Sequence, residues 1–124
     1  MITGIGIDIV QINRMERWLD NPKLLERYFH MEELTLASSR KSSSALTLAA
    51  RFAAKEAFGK ALGTGLAEIS LKDIKVANSE NGKPDIILFE TAQKAFDKSG
   101  ANKVHVSLSH ERENAIAMIV LERV

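Results

Sequence analysis

Cysteine is absent from the 124-residue chain. That excludes disulfides, thiolate metal sites and cysteine nucleophiles, and it fits a reducing compartment. An excess of charge of either sign is also lacking. With 17 basic residues against 16 acidic ones, no global field draws the chain to nucleic acid or membrane, and electrostatic recognition must come from local clusters. No apolar run approaches the roughly 20 residues of a membrane span. Met1–Asp8 has neither the basic start nor the long apolar run of a secretory signal, so the expected address is the cytoplasm. There is no Walker sequence, no Gly-x-Gly-x-x-Gly opening a helix, no hydrolase elbow around Ser107 or Ser109, and no internal repeat.

What is present is an ordinary globular composition, 45% hydrophobic and 27% charged, in a chain sized for one domain with a real core over residues 1–124. Residues 2–11 read as a buried strand, with Ile5, Ile7 and Ile9 on one face and Gly4, Gly6, Asp8 and Val10 on the other. Short helices are expected over 12–20, stopped by Asp20-Asn21-Pro22, over 23–28 and over 31–39. Arg40–Ser44 reads as a polar loop. A long helix spans 44–62, with Ser44 as its N-cap and Gly63 and Gly65 beyond its end. Strands over 72–78 and 84–89 form a hairpin about Asn81-Gly82, with Pro84 at a strand start. A helix over 90–99 ends at Gly100, and strands follow over 103–109 and 115–122. Strands and helices do not alternate regularly, so the fold class is α+β, a small mixed or antiparallel sheet packed on the long helix.

The chemistry concentrates in that helix. Glu56 and Lys60 share a face one turn apart, beside a strip of Ala49, Ala50, Ala53, Ala54, Ala57 and Ala61 small enough to admit another backbone. Such a pair is either a surface ion pair or part of a metal and phosphate site. Asp8 is the second anomaly, because a carboxylate in an apolar strand is costly unless paired or bound to a metal. Gly4 and Gly6 leave room beside it for the alanine strip, which would bring Asp8 to Glu56 and make a hard-oxygen site suited to Mg²⁺; the alternative is that Asp8 caps the helix that follows. The strand from Lys103 places Val104, Val106 and Leu108 on one face and Lys103, His105, Ser107 and Ser109 on the other, either solvated or lining a phosphate or sugar pocket. His110 reads as structural. Gly63-Thr-Gly65 reads as a C-cap turn. Early basic residues, Arg14 and Arg17, Lys23 and Arg27, and Arg40 and Lys41, form either a solvated face or a dock for an acidic partner.

Three segments in this order, Gly4-Ile-Gly-Ile-Asp-Ile-Val10, Arg51-Phe-Ala-Ala-Lys-Glu-Ala-Phe-Gly-Lys-Ala-Leu-Gly-Thr-Gly65 and Val106-Ser-Leu-Ser-His110, with Asn81-Gly-Lys-Pro84 between them, closely resemble the holo-acyl-carrier-protein synthases, the small bacterial class of 4′-phosphopantetheinyl transferase. The resemblance implies transfer of 4′-phosphopantetheine from coenzyme A to a serine of apo acyl carrier protein, with release of adenosine 3′,5′-bisphosphate, in the service of fatty acid biosynthesis. It implies Mg²⁺ held by Asp8 and Glu56, and Lys60 at the coenzyme A phosphates near the reacting centre. It also implies His105, Pro84 and Gly63 about the nucleotide, Arg51 in phosphate binding, Arg14 and Arg17 on the helix that docks the carrier protein, and a homotrimer with active sites between subunits. A helical wheel sets Arg51 about 140° from Glu56, so it could serve a neighbouring subunit's site.

The sequence departs from the family pattern at two points. Phe29-His-Met-Glu-Glu-Leu34 carries His30 where the family often has threonine, a better N-cap, and Asn114 stands where an aromatic is common. The implied reaction depends on positioning and charge neutralisation. Glu56 or a metal-bound water would accept the serine proton, and His105 would position the nucleotide. A module that only binds an acidic partner or a nucleotide is the competing class; it leaves Asp8, Glu56 and Lys60 unexplained.

Overall fold

The structure is a computed structural model that describes Met1–Val124. Strand β1 (Ile2–Gln11) leads into three short helices, α1 (Ile12–Trp18), α2 (Pro22–Tyr28) and α3 (Met31–Ser39), and then into the long α4 (Ser44–Leu62). The hairpin β2 (Ile74–Asn78) and β3 (Pro84–Leu88), helix α5 (Glu90–Ser99), and strands β4 (Lys103–His110) and β5 (Asn114–Glu122) complete the chain. The expected single sheet is two antiparallel ones, β1-β5-β4 and β2-β3, because the hairpin pairs only with itself.

Helix α4 is the central element. Ala49, Ala53, Ala54, Ala57 and Phe58 are wholly buried along it. The reason for so much alanine lies in β1: a Cβ on Gly4 would sit 1.9 Å from the Ala61 carbonyl oxygen, and one on Gly6 2.0 Å from that of Ala57. Strand and helix meet backbone to backbone, which only glycine on one side and alanine on the other permit. Met15 of α1, Phe29 and Phe52, and Ala115, Ala117, Ile119 and Leu121 of β5 fill the rest of the core.

Strand β1 is buried on one face only, contrary to its apolar run. Val10 and Gly6 face α4, whereas Ile5, Ile7 and Ile9 are 63%, 54% and 60% exposed. They pair with Val120, Met118 and Ile116 of β5, so the outer face of the three-stranded sheet is an uncovered apolar surface. The reason is topological: α4 covers one side of the sheet and the chain supplies nothing for the other.

Local signals differ from expectation at five places. Ser44 is the first residue of α4, not its cap, and its hydroxyl donates to Ala37 O at 2.5 Å. Lys41–Ser43 is a 3₁₀ turn within the expected loop, and another, Leu71–Asp73, precedes β2, which starts at Ile74. His30 does cap α3: its Nδ1 accepts from Glu32 N (3.1 Å), while the Glu33 carboxylate accepts from His30 N (2.9 Å). An imidazole nitrogen serves where a threonine oxygen would. Asn114 closes the β4–β5 turn by donating from its side chain to Glu111 Oε1 at 2.8 Å.

Candidate functional site

The β1–α4 contact creates an acidic pole. With Gly6 against Ala57 and Gly4 against Ala61, Asp8, next on the same face of β1, meets the Glu56–Lys60 turn of α4. Lys60 Nζ donates to Asp8 Oδ1 and to Ile7 O, both at 3.0 Å. Glu56 makes no such pair. Burial pushes its carboxyl above the ordinary range, the charge of Asp8 pushes it further, and Arg14 and Lys60 pull it back. Two carboxylates thus share a partly dry corner in which only Asp8 is ion-paired, by Lys60. The chain has no group of three or more His, Asp or Glu that could enclose a metal. The Asp8 and Glu56 oxygens have the hard-donor chemistry that would suit Mg²⁺, which would draw the rest of its shell from substrate and water.

Arg14 borders this pole. Its guanidinium lies 5.2 Å from the Trp18 ring centroid and 5.1 Å from that of Phe52; Trp18 stacks in turn on Tyr28 at 5.4 Å. The rings hold the cation over the start of the Glu56 turn by cation–π attraction. Arg17 is exposed in the last turn of α1.

A second locus opens on the other edge of the sheet. A cleft of about 940 Å³ is lined by Arg40, Thr47, Arg51, Lys83, Pro84 and Ser107, among others. Arg51 is 3% exposed, yet its Nε and Nη2 have no hydrogen-bond partner. Burial lowers its pKa, Glu33 opposes the shift and Arg40 adds to it. A buried guanidinium with two idle N–H groups at a basic cleft is matched to an anion with several acceptor oxygens. Ser109 and His110 also line the cleft; His110 is exposed rather than packed in the core, because the sheet ends there.

The residues singled out from sequence therefore fall into separate groups. Asp8, Glu56 and Lys60 meet. Arg51 and Pro84 meet elsewhere. His105 lies outside the cleft, its Nε2 2.8 Å from Glu122 Oε1. Gly63 is the left-handed C-cap of α4 with φ +82° and open space about it. Its N–H donates to Lys60 O, and the N–H of Gly65 reaches Gly59 O, both at 3.1 Å. Between the two loci runs a buried link that the sequence pattern did not reveal, Lys55 with Glu33 (2.7 Å). Its one sequence signal is a lysine inside an alanine-rich, otherwise apolar stretch of helix.

The α+β scaffold thus carries a carboxylate–lysine pole at one edge of its sheet and an arginine-lined cleft at the other. The family model of the 4′-phosphopantetheinyl transferase superfamily matches residues 4–119. The holo-[acyl-carrier-protein] synthase of Treponema denticola is 54% identical over 98% of this chain and 99% of its own. Among solved structures, a holo-(acyl-carrier-protein) synthase from Bacillus anthracis in complex with CoA (3′,5′-ADP) superposes with a TM-score of 0.84 at 43% identity, over 100% of this chain and 99% of that one. The Neisseria meningitidis holo-[acyl-carrier-protein] synthase gives 0.88 at 34% identity, over 99% and 100%. The chain belongs to the 4′-phosphopantetheinyl transferase superfamily and is an enzyme of the transferase class.

Proposed function

We propose that this chain, acting as a single domain over residues 1–124, transfers 4′-phosphopantetheine from coenzyme A to a serine hydroxyl of apo acyl carrier protein and releases adenosine 3′,5′-bisphosphate. The observation that carries the reading is the meeting of Asp8, Glu56 and Lys60 at one corner, together with full-length similarity to holo-[acyl-carrier-protein] synthases. Asp8 and Glu56 hold Mg²⁺, which when bound neutralises charge on the diphosphate of coenzyme A. Lys60 is more than half exposed and turns from Asp8 toward the phosphoryl oxygens, where it offsets the charge that builds as the P–O bond breaks. The serine proton goes to Glu56 or to a water at the same corner, the two acceptors within reach of this pole.

The nucleotide end of coenzyme A occupies the Arg51–Pro84 cleft. That cleft and the acidic pole lie at opposite edges of the sheet, two strand spacings or about 10 Å apart. We place the complete site between copies of the chain, the pole of one facing the cleft of the next in a homotrimer. The exposed Ile5, Ile7, Ile9 and Met118 surface is the apolar face such an assembly buries. His105 and Glu122 rim that face, and His105 contacts the nucleotide from there. Gly63 keeps the end of α4 open toward it. Arg14 and Arg17 dock the acidic carrier, Arg14 serving the pole as well. No helix is long and apolar enough to cross a membrane, and the reading places the reaction in the cytoplasm, in fatty acid biosynthesis.

The test combines the protein with coenzyme A, Mg²⁺ and an apo carrier protein and weighs the carrier by mass spectrometry. Gain of one phosphopantetheinyl group is expected, with loss of the gain in Asp8→Ala and Glu56→Ala chains that remain folded by circular dichroism. Full activity of Asp8→Ala with Mg²⁺ would sink the metal assignment. No gain by the folded wild type on several carriers would favour a binding module.

A further inference from the structure

Lys55 and Glu33 are 0% and 1% exposed, and the proposed reaction uses neither. Buried ion pairs are poor sources of stability, because desolvation consumes most of the Coulomb gain. This one is fully satisfied. Lys55 Nζ donates to Glu33 Oε1 at 2.7 Å, to Leu71 O at 3.0 Å and to Ile74 O. Glu33 Oε1 accepts from His30 N at 2.9 Å, and its Oε2 from Val76 N at 3.0 Å. The ammonium also lies 5.5 Å from the Phe29 ring centroid. One pair of charges thus ties α4 to the capping box of α3, to the 3₁₀ turn Leu71–Asp73 and to β2. Those are the elements whose relative placement makes the basic cleft. Arg51 lies one turn before Lys55 on α4, while Pro84, Gly82 and Lys83 come from the hairpin that β2 begins.

We propose that Lys55 and Glu33 are a positioning pair for the nucleotide cleft: they hold α4 and the β2–β3 hairpin in register so that Arg51 faces Pro84 and Lys83 across it. Apolar packing between α4 and the hairpin is non-directional, so a slide of one element along the other would cost it little. Hydrogen bonds from one ammonium to two backbone carbonyls and a carboxylate are directional and admit a single register. With Lys55 turned toward the hairpin, the neighbouring Glu56 is rotated by about 100° toward β1. The inference rests on the cleft being the nucleotide site.

The experiment compares wild type, Lys55→Met/Glu33→Gln, and Phe96→Leu, a core change on α5 that packs on Phe58, on the face of α4 turned away from Glu56 and Lys60, and that serves as a destabilised reference. Each is measured at a temperature where circular dichroism shows it folded. For the double variant we expect affinity for adenosine 3′,5′-bisphosphate, by calorimetry, to fall about tenfold. Its KM for coenzyme A should rise about as much and kcat should change less than threefold. Amide exchange at Lys75 and Ile87, a directly opposed pair of the β2–β3 ladder, should accelerate more than tenfold, while that of β5 stays as in wild type. Phe96→Leu should melt earlier and bind like wild type. A double variant that binds like Phe96→Leu and protects its hairpin amides like wild type overturns the proposal. Where the double variant fails to fold, Glu33→Gln, which keeps an acceptor oxygen, takes its place: weakened binding with faster hairpin exchange supports the pair's role, and wild-type behaviour in both overturns it. A folded wild type that neither binds the nucleotide nor modifies a carrier sinks the functional reading instead, and the exchange measurements still decide whether the pair sets the register.

Discussion

Lys55 and Lys60 stand five residues apart on one helix, each beside a carboxylate, and they differ in almost every physical respect. Lys55 is sealed, its donors spent on Glu33 and two carbonyls, and desolvation lowers its pKa. Lys60 is 55% exposed and holds Asp8 at 3.0 Å beside an unpaired Glu56. A lysine that has exhausted its hydrogen-bonding capacity can fix an architecture and do nothing for a substrate. One that is more than half exposed and shares its charge with a single carboxylate can be recruited by a phosphate. The helix thus separates architecture from chemistry by rotation alone.

The largest expected effect breaks the sealed side. Lys55→Met leaves the Glu33 carboxylate buried without its cation, which costs about 3–5 kcal/mol; urea denaturation should show the midpoint falling by that measure. The mirror experiment is Lys60→Met. It should lower carrier modification by about 10²–10³-fold while shifting stability by less than about 1 kcal/mol, since Lys60 is itself more than half exposed. If Lys60→Met proved as destabilising as Lys55→Met, the contrast between the lysines would be lost.

A smaller effect sharpens how the open side is built. Gly6→Ala sets a methyl 2.0 Å from the Ala57 carbonyl, so backbone must move. A cost of about 1–3 kcal/mol is expected, together with a loss of activity greater than that of an equally destabilising change in α5, because Asp8 moves with the strand. The smallest effect concerns the sheet rim. The hydrogen bond from His105 holds the Glu122 carboxyl below its ordinary range. A depressed folded pKa means that the contribution to stability is present above the ordinary carboxylate value and is lost as pH falls through the depressed one. Thermal melts in mild acid should therefore show a slightly flatter loss of stability in Glu122→Gln than in wild type.

Much of this was legible along the chain because it is local. The span of α4, the hairpin about Asn81-Gly82 and the Gly63 and Gly100 stops follow from periodicity, turn chemistry and glycine C-caps. So does the match of Gly4 and Gly6 to the alanine strip, since both partners advertise a missing side chain. Other features were not legible. A run of Ile5, Ile7 and Ile9 reads as buried in any window, and only the sheet order β1-β5-β4 with one covering helix leaves it bare. His30 looked a poor cap because rank orders of capping residues do not include the reciprocal Glu33.

By itself the sequence determined the α+β class, the long alanine-faced helix and the candidacy of Asp8, Glu56 and Lys60, since spacing on a strand or helix sets which side chains share a face. Helix periodicity already turned Arg51 away from Glu56; only the tertiary structure decided that it enters a basic cleft and that Lys55 and Glu33, 22 residues apart, close on each other. It also decided that His105 answers to Glu122 and that the isoleucine face stands open. Each of those depends on which elements come to lie side by side, and local periodicity carries no information about a neighbour brought in from elsewhere in the chain.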